Sequence, residues 1–299
     1  MASLSLFPAQ STSIDLSGHT LIVPAISIGS VPQLTVDLLI HHAPLGLRYI
    51  GAFDSTEWCL PYACPQDSVP SAESSGDAGT PPLGLPLQLY SNASNRLAVL
   101  QQRSPILKSA KREFALSLLS WAKSAGIAQI LILSSLDAAL RVDAEMHIPL
   151  VHLLASPASS SSSSVLKTLA QSFPPFQTQA LRGDDHPVLH AASGSSGLPP
   201  LPGAGATRLL LQAASGQSAA QDSAASLPTG ALLMFASEGD NRGDAHAMAT
   251  MVLDILKRAS ESDDSSSPAG PAFERTGALK EPRSWLTVFG QRMDQAIYG

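Results

Sequence analysis

Two carboxylates stand two positions apart in the segment Ser237, Glu238, Gly239, Asp240, Asn241, directly after the apolar run Leu232 to Phe235. An apolar run of strand length that stops at an acidic, glycine-containing turn and is followed by a helix places those groups at the carboxyl end of a strand. In α/β proteins ligands usually sit there. Glu238 and Asp240 could therefore form a general acid/base pair, which would require a substrate pocket and a raised pKa on one member. The same residues also suit a plainer role. Negative charge is favoured at a helix N-terminus, and Asp240 or Asn241 can cap free N–H groups. Capping and stiffening of the turn is the first expectation for Glu238, Gly239, Asp240 and Asn241, contact with a protein partner the second, and catalysis the third.

Other residue constellations add little chemistry. Pro202, Gly203, Ala204, Gly205, Ala206 and Thr207 precede a predicted helix start at Arg208. A glycine-rich loop at a helix N-terminus can cradle phosphate. Here the lysine and following hydroxyl of a nucleotide-binding loop are missing, and Arg208 occupies the third glycine position of the dinucleotide pattern. A tight turn at a packed junction is the expected role. No G-x-S-x-G nucleophile elbow occurs, and His186 and His190 lie in low-complexity sequence. His41 and His42 end a predicted helix, and Trp121 sits on an apolar helix face. Cys59 and Cys64 are the two cysteines and have four residues between them, too few ligands for zinc and too small a loop for a useful disulfide. Two reduced thiols, no metal site and no cofactor are expected.

Composition narrows the classes further. Charged residues make up 14% of the 299 positions and the net charge is −6, so the basic face that nucleic acid requires is not expected. The opening Met1 to Pro8 has neither a basic region nor a long apolar stretch, so no signal peptide is expected. Apolar runs fall far below the roughly 18 residues of a membrane span. The expected location is the cytoplasm, with the nucleus as a second compartment, not secretion.

The elements that must position these residues alternate in character. Residues 19–28 read as a strand, followed by a helix with Pro32 in its first turn. Residues 47–53 and 96–101 read as further strands. Residues 108–125 form the clearest helix, with Phe114, Leu118, Trp121, Ala122 and Ala125 on one face and Gly126 as its cap. A buried strand follows over 128–133, and another over 150–154. Beyond Asn241, the residues Ala245, Met248, Ala249, Val252, Ile255, Leu256 and Ala259 line one helix face, with Lys257 and Arg258 in the last turn. This alternation predicts a single-domain α/β fold, an αβα sandwich around a mostly parallel sheet. Stretches rich in Ser, Gly and Pro at 65–86, 156–164, 181–202, 215–228 and 260–271 bury almost nothing apolar and are expected to be disordered insertions into that one domain.

Several of these segments together resemble a known family. Leu21 to Gly29 with Gln33 to Leu38, Leu119 to Gly126 with Ile130 to Ser135, Pro202, Gly203, Gly205 and Thr207 carry part of the likeness. Phe235 with Ser237 to Asn241 is the most specific piece, and Pro282 to Trp285 with Phe289 and Gly290 completes it. The chain resembles the proteasome assembly chaperone 2 family, and the likeness covers about half of it, with nothing matching in the insertions. The resemblance implies a non-enzymatic α/β sandwich that pairs with proteasome assembly chaperone 1. That heterodimer would cap the outer face of a forming 20S proteasome α-ring, promote correct assembly, and block premature dimerisation or activator binding. The terminal Ile297, Tyr298 and Gly299 match the hydrophobic-Tyr-any-residue signature of proteins that dock between proteasome α-subunits, with 291–299 as the docking tail. The alternative reading, suggested by the loops at Gly203 and Glu238, is a phosphorylase-like or hydrolase-like α/β enzyme acting on a small molecule.

Overall fold

The computed structural model describes residues 3–9, 14–67, 83–141, 145–176, 198–216, 227–263 and 278–289. Eight strands, β1 (Leu6–Pro8), β2 (Thr20–Pro24), β3 (Arg48–Phe53), β4 (Leu87–Asn92), β5 (Leu97–Gln102), β6 (Gln129–Asp137), β7 (Leu150–Leu154) and β8 (Thr229–Ala236), form one sheet in the order β1-β3-β4-β5-β2-β6-β8-β7. The strands β5, β2, β6 and β8 are mutually parallel, as the alternating sequence implies. Both flanks run antiparallel: β1, β3, β4 and β5 make a meander on one side, and β7 returns against β8 on the other. The sheet is therefore mixed, with a parallel centre.

The helices are α1 (Val31–His41), α2 (Lys111–Ser124), α3 (Ala158–Ser161), α4 (Ser164–Ser172), α5 (Thr207–Ala214), α6 (Arg242–Asp263) and α7 (Trp285–Phe289). Side chains alternate across the parallel strands, so each strand feeds two cores. Leu21, Val23, Ile130, Ile132, Ala231 and Leu233 face Phe114 and Leu118 of α2 and Leu210 and Leu211 of α5. Ile22, Leu131, Leu133, Leu232 and Met234 face Val36 and Leu39 of α1, Leu166 and Leu169 of α4, and Met248, Val252 and Ile255 of α6. A sheet covered on both faces needs strands apolar at every position, and β8 is buried along its whole length. Gly126, with φ +76°, ends α2: its N–H donates to the Lys123 carbonyl and that of Ile127 to the Ala122 carbonyl, a reversal that L side chains disfavour.

Some stretches expected as disordered insertions hold structure at least in part. The serine run 156–164 contains α3, and the Ser163 hydroxyl accepts a hydrogen bond from the Leu166 N–H at 3.0 Å, capping α4. The run is ordered because Val165, Leu166 and Leu169, just beyond it, are buried. Residues 260–263 extend α6, since Leu256 and Ala259 hold its last turns against the core. The borders of other stretches are also tied down. Gly84 and Cys64 exchange backbone hydrogen bonds, the Pro228 carbonyl accepts from the Ile130 N–H at 2.8 Å, and the Pro202 carbonyl accepts from that of Asp137 at 3.1 Å. The remaining parts of these stretches lie outside the described residues. Ser163→Ala is expected to lower stability by about 0.5–2 kcal/mol, measured by urea unfolding, because α4 then loses its cap.

Candidate functional site

The parallel strands β2, β6 and β8 end side by side, where an α/β enzyme would open a ligand crevice. Here the glycine-rich segment 202–207 lies across that position. The Gly203 carbonyl accepts from the Ile28 N–H at 2.9 Å, and the Thr207 hydroxyl donates to Ser134 Oγ or the Ala204 carbonyl, both at 2.7 Å. Ser27 Oγ accepts from the Ser135 N–H at 2.9 Å, joining the segment after β2 to β6. At Gly205, φ is +61° and a Cβ would stand 1.9 Å from the Ile26 carbonyl oxygen. Only glycine permits so close an approach. The glycines serve a packed junction between two backbones, not an open anion cradle.

The turn after β8 splits its expected roles unevenly. Glu238 is exposed. Asp240 is also exposed, and its carboxylate accepts from the Arg242 N–H at 3.2 Å and from the Arg242 guanidinium at 2.6–3.1 Å. Asn241 is buried and carries the structural load. Its Nδ2 lies within 3.1 Å of the carbonyl oxygens of Gly29, Ser237 and Gly239, stitching the β2–α1 turn to the β8–α6 turn. A Cβ at Gly29 would fall 2.6 Å from that nitrogen, so a glycine with φ +68° is needed opposite. The Asp240 carboxylate is engaged by Arg242.

Sequence reasoning missed the main polar cluster. Asp37 lies on α1 between buried Val36 and Leu38, and its own carboxylate is buried. Gln101 Nε2 donates to Oδ1 at 2.7 Å, Arg103 Nη1 to Oδ2 at 2.7 Å, and the Trp285 indole N–H lies 3.5 Å from Oδ2. Burial works against the Arg103 charge, but the adjacent carboxylate outweighs it and holds the guanidinium pKa above its usual value. An available signal was the lone acid within an apolar helix stripe, since a buried carboxylate requires a partner. The C-terminal segment has further anchors. The Ser284 N–H reaches the Asp67 carboxylate at 3.1 Å, His246 Nε2 lies 3.1 Å from Glu281 Oε1, and the Arg242 guanidinium stands 5.0 Å from the centre of the Phe289 ring.

Cys59 and Cys64 are free thiols, and the Tyr62 hydroxyl donates to Cys64 Sγ at 2.9 Å. Burial pushes the Cys59 thiol up to about 11, and burial with the Cys64 contact pushes Tyr62 up to about 12. Burial also raises the Tyr90 hydroxyl. Among the described residues no group of three or more His, Cys, Asp or Glu side chains could hold a metal ion. A depression of about 90 Å³ between α2 and α5, lined by Leu116, Leu119, Lys123, Ala213 and Leu227, is well below the roughly 300 Å³ of a small-molecule pocket. Ile297, Tyr298, Gly299, His186 and His190 lie outside the described residues.

This geometry makes measurable claims of two kinds, one on the turn after β8 and one on pH. Asn241→Asp places an anion against three carbonyl oxygens and should cost about 1–3 kcal/mol in urea unfolding. Asp240→Ala, at an exposed pair, should leave the unfolding midpoint near the parent value. The raised acids set the second. Below about pH 9 both folded and unfolded chains keep these protons; above it the unfolded chain loses them first, so stability should fall as pH rises through about 9 to 12. Urea midpoints across that range check the decline, and Tyr90→Phe should make it shallower.

Comparison with known proteins agrees with this architecture. The PAC2 family model matches residues 21–252. Proteasome assembly chaperone 2 of Danio rerio is 31% identical, over 94% of this chain and 95% of that protein. Proteasome assembly chaperone 2 of Homo sapiens is 29% identical, over 97% and 99%. Among solved structures, Pyrococcus furiosus PbaA, described as an archaeal homolog of proteasome-assembly chaperone, superposes with a TM-score of 0.51 at 15% identity, covering 99% of each chain, which supports the fold. With a family match spanning β2 to α6 and relatives aligned over nearly the whole chain, this protein belongs to the PAC2 family of proteasome assembly chaperones.

Proposed function

We propose that this chain is a non-enzymatic chaperone that pairs with proteasome assembly chaperone 1 and promotes assembly of the 20S proteasome α-ring in the cytoplasm and nucleus. The observation that carries the reading is the similarity, over nearly its full length, to proteins named proteasome assembly chaperone 2. The loop at Gly205 supports the non-enzymatic part, because it fills the position where an α/β enzyme of the phosphorylase or hydrolase type would bind its substrate. Glu238 stands exposed.

Docking to the ring is assigned to Ile297, Tyr298 and the carboxylate of Gly299. Ile297 would bury its side chain against an apolar wall, at roughly 25 cal/mol per Å² removed from water. Tyr298 would lay its ring on the pocket wall while its hydroxyl meets a polar partner, and the Gly299 carboxylate would pair with a basic residue. The anchors at Trp285 and Ser284 hold the root of this tail, and an extended run of residues 290–299 reaches at most about 35 Å. Since other surfaces of a heterodimer would also touch the ring, the tail contributes avidity, not the whole affinity.

Tyr298→Ala, or one residue added after Gly299, should weaken capture of purified α-ring intermediates by about tenfold and leave co-purification with proteasome assembly chaperone 1 unchanged. Equal capture by the parent and both variants would remove the docking role from the tail. No co-purification of the co-expressed proteins would remove the partnership.

A further inference from the structure

Residues 278–289 form a strap that side-chain contacts hold to the body. Among the described residues, no strand pairs with this strap, and its backbone–backbone hydrogen bonds are local, such as that from the Trp285 N–H to the Pro282 carbonyl. Its holds come from three separate parts of the fold. Trp285 is 3% exposed, points its indole N–H at the Asp37 carboxylate of α1, and sets its ring edge-on to Phe289. Asp67 binds the Ser284 N–H, and on α6 His246 faces Glu281 while Arg242 stands beside the Phe289 ring. A segment fixed in this way opens by itself at less cost than the fold as a whole. Opening leaves Asp37 with Gln101 and Arg103, each at 2.7 Å, so the core keeps its buried ion pair when the strap lifts. Trp285 is the large apolar side chain that the strap buries fully, whereas Leu279 and Phe289 are partly buried. Seating of the strap therefore turns on the indole.

We infer that Trp285 is a positioning residue for ring docking: seated at Asp37, it brings the point where the C-terminal tail leaves the body close to the tail's own end. This role rests on the tail-docking reading and falls to a residue outside the three that dock. With the strap seated, the last held residue is Phe289, and Ile297 lies 8 residues beyond it. With the strap lifted, the last held residue is Asp263 at the end of α6, and Ile297 lies 34 residues beyond that. Once a tether spans its gap, the effective concentration of the tethered group falls roughly as the −3/2 power of tether length. A tether about fourfold longer thus dilutes the tail about eightfold at the ring. No surface of the strap need touch the ring for this to hold. The indole sets the length of chain between body and tail, not the pocket that receives Tyr298.

A double-mutant cycle on the full-length chain tests this role, read as affinity for purified α-ring intermediates: the parent, Trp285→Ala, Tyr298→Ala, and both changes together. Trp285→Ala is expected to weaken binding by about eightfold and Tyr298→Ala by about tenfold. The combined variant should bind no more weakly than Tyr298→Ala alone, because the local concentration of a tail that has lost its main contact no longer matters. Trypsin should cut after Arg283 sooner in Trp285→Ala than in the parent, which reports strap opening directly. Should Trp285→Ala fail to fold, Glu281→Ala with Phe289→Ala loosens the strap from α6 and leaves all three donors on Asp37, and the same non-additive pattern is expected. Losses that multiply to about eightyfold assign the strap a role apart from the tail and overturn the inference. Parent-like binding by Trp285→Ala beside a weakened Tyr298→Ala also overturns it, and the tail reading then stands. Parent-like binding by Tyr298→Ala removes both readings.

Discussion

A single carboxylate, Asp37, lies where α1, the end of β5 and the C-terminal segment meet, and the arrangement of those three parts depends on its being satisfied. Water would solvate it better than protein does unless several donors converge on it. Gln101, Arg103 and Trp285 come from sequence positions far apart, and only the folded chain brings them together. Removing one partner from such a group typically costs about 3–5 kcal/mol, because an uncompensated charge stays behind. The carboxylate thus links the order of the C-terminal segment to the order of the core. Residues 278–289 are held at that buried charge through Trp285, and also through Ser284 at Asp67 and Phe289 at Arg242.

The same economy of space shapes the ends of the parallel strands in this α/β sandwich. A doubly covered sheet with parallel central strands leaves a gap where those strands end, and many enzymes place substrate there. Here Gly205 brings a loop against the Ile26 carbonyl, and Asn241 ties the turn after β8 to the turn after β2. Fold alone does not assign function; the content of the site does. Closing the gap with backbone ties the ends of β2, β6 and β8 to one another through short loops.

Much of this architecture was legible in the sequence. The stripe from Ala245 to Ala259 is buried as its spacing predicts, and Leu150–Leu154 is a strand with the bounds its composition implies. The glycines of 202–207 were legible as a tight turn because the residues that phosphate binding needs are absent from the segment. Other elements were hidden. β1 is three residues long and exists through its pairing with β3, and β4 carries Gln88 between its two leucines and Tyr90, Ser91 and Asn92 after them, which breaks any simple pattern. The serine run reads as disordered because serine contributes no apolar surface, yet Val165, Leu166 and Leu169 just after it draw the segment onto the sheet.

Local periodicity and turn chemistry, which depend on neighbours within one or two turns, determined α1, α2, α6, the central strands and the α/β class, while short matching stretches of residues carried the family resemblance. Direction and pairing of the outer strands, the partner set of Asp37 and the choice of Asn241 over Asp240 as the structural member of its turn depend on groups far apart in the chain. No local pattern encodes which distant carbonyl an amide will face or which indole will reach a buried carboxylate. Those contacts form only when the layers close, and desolvation then decides which polar groups must find each other.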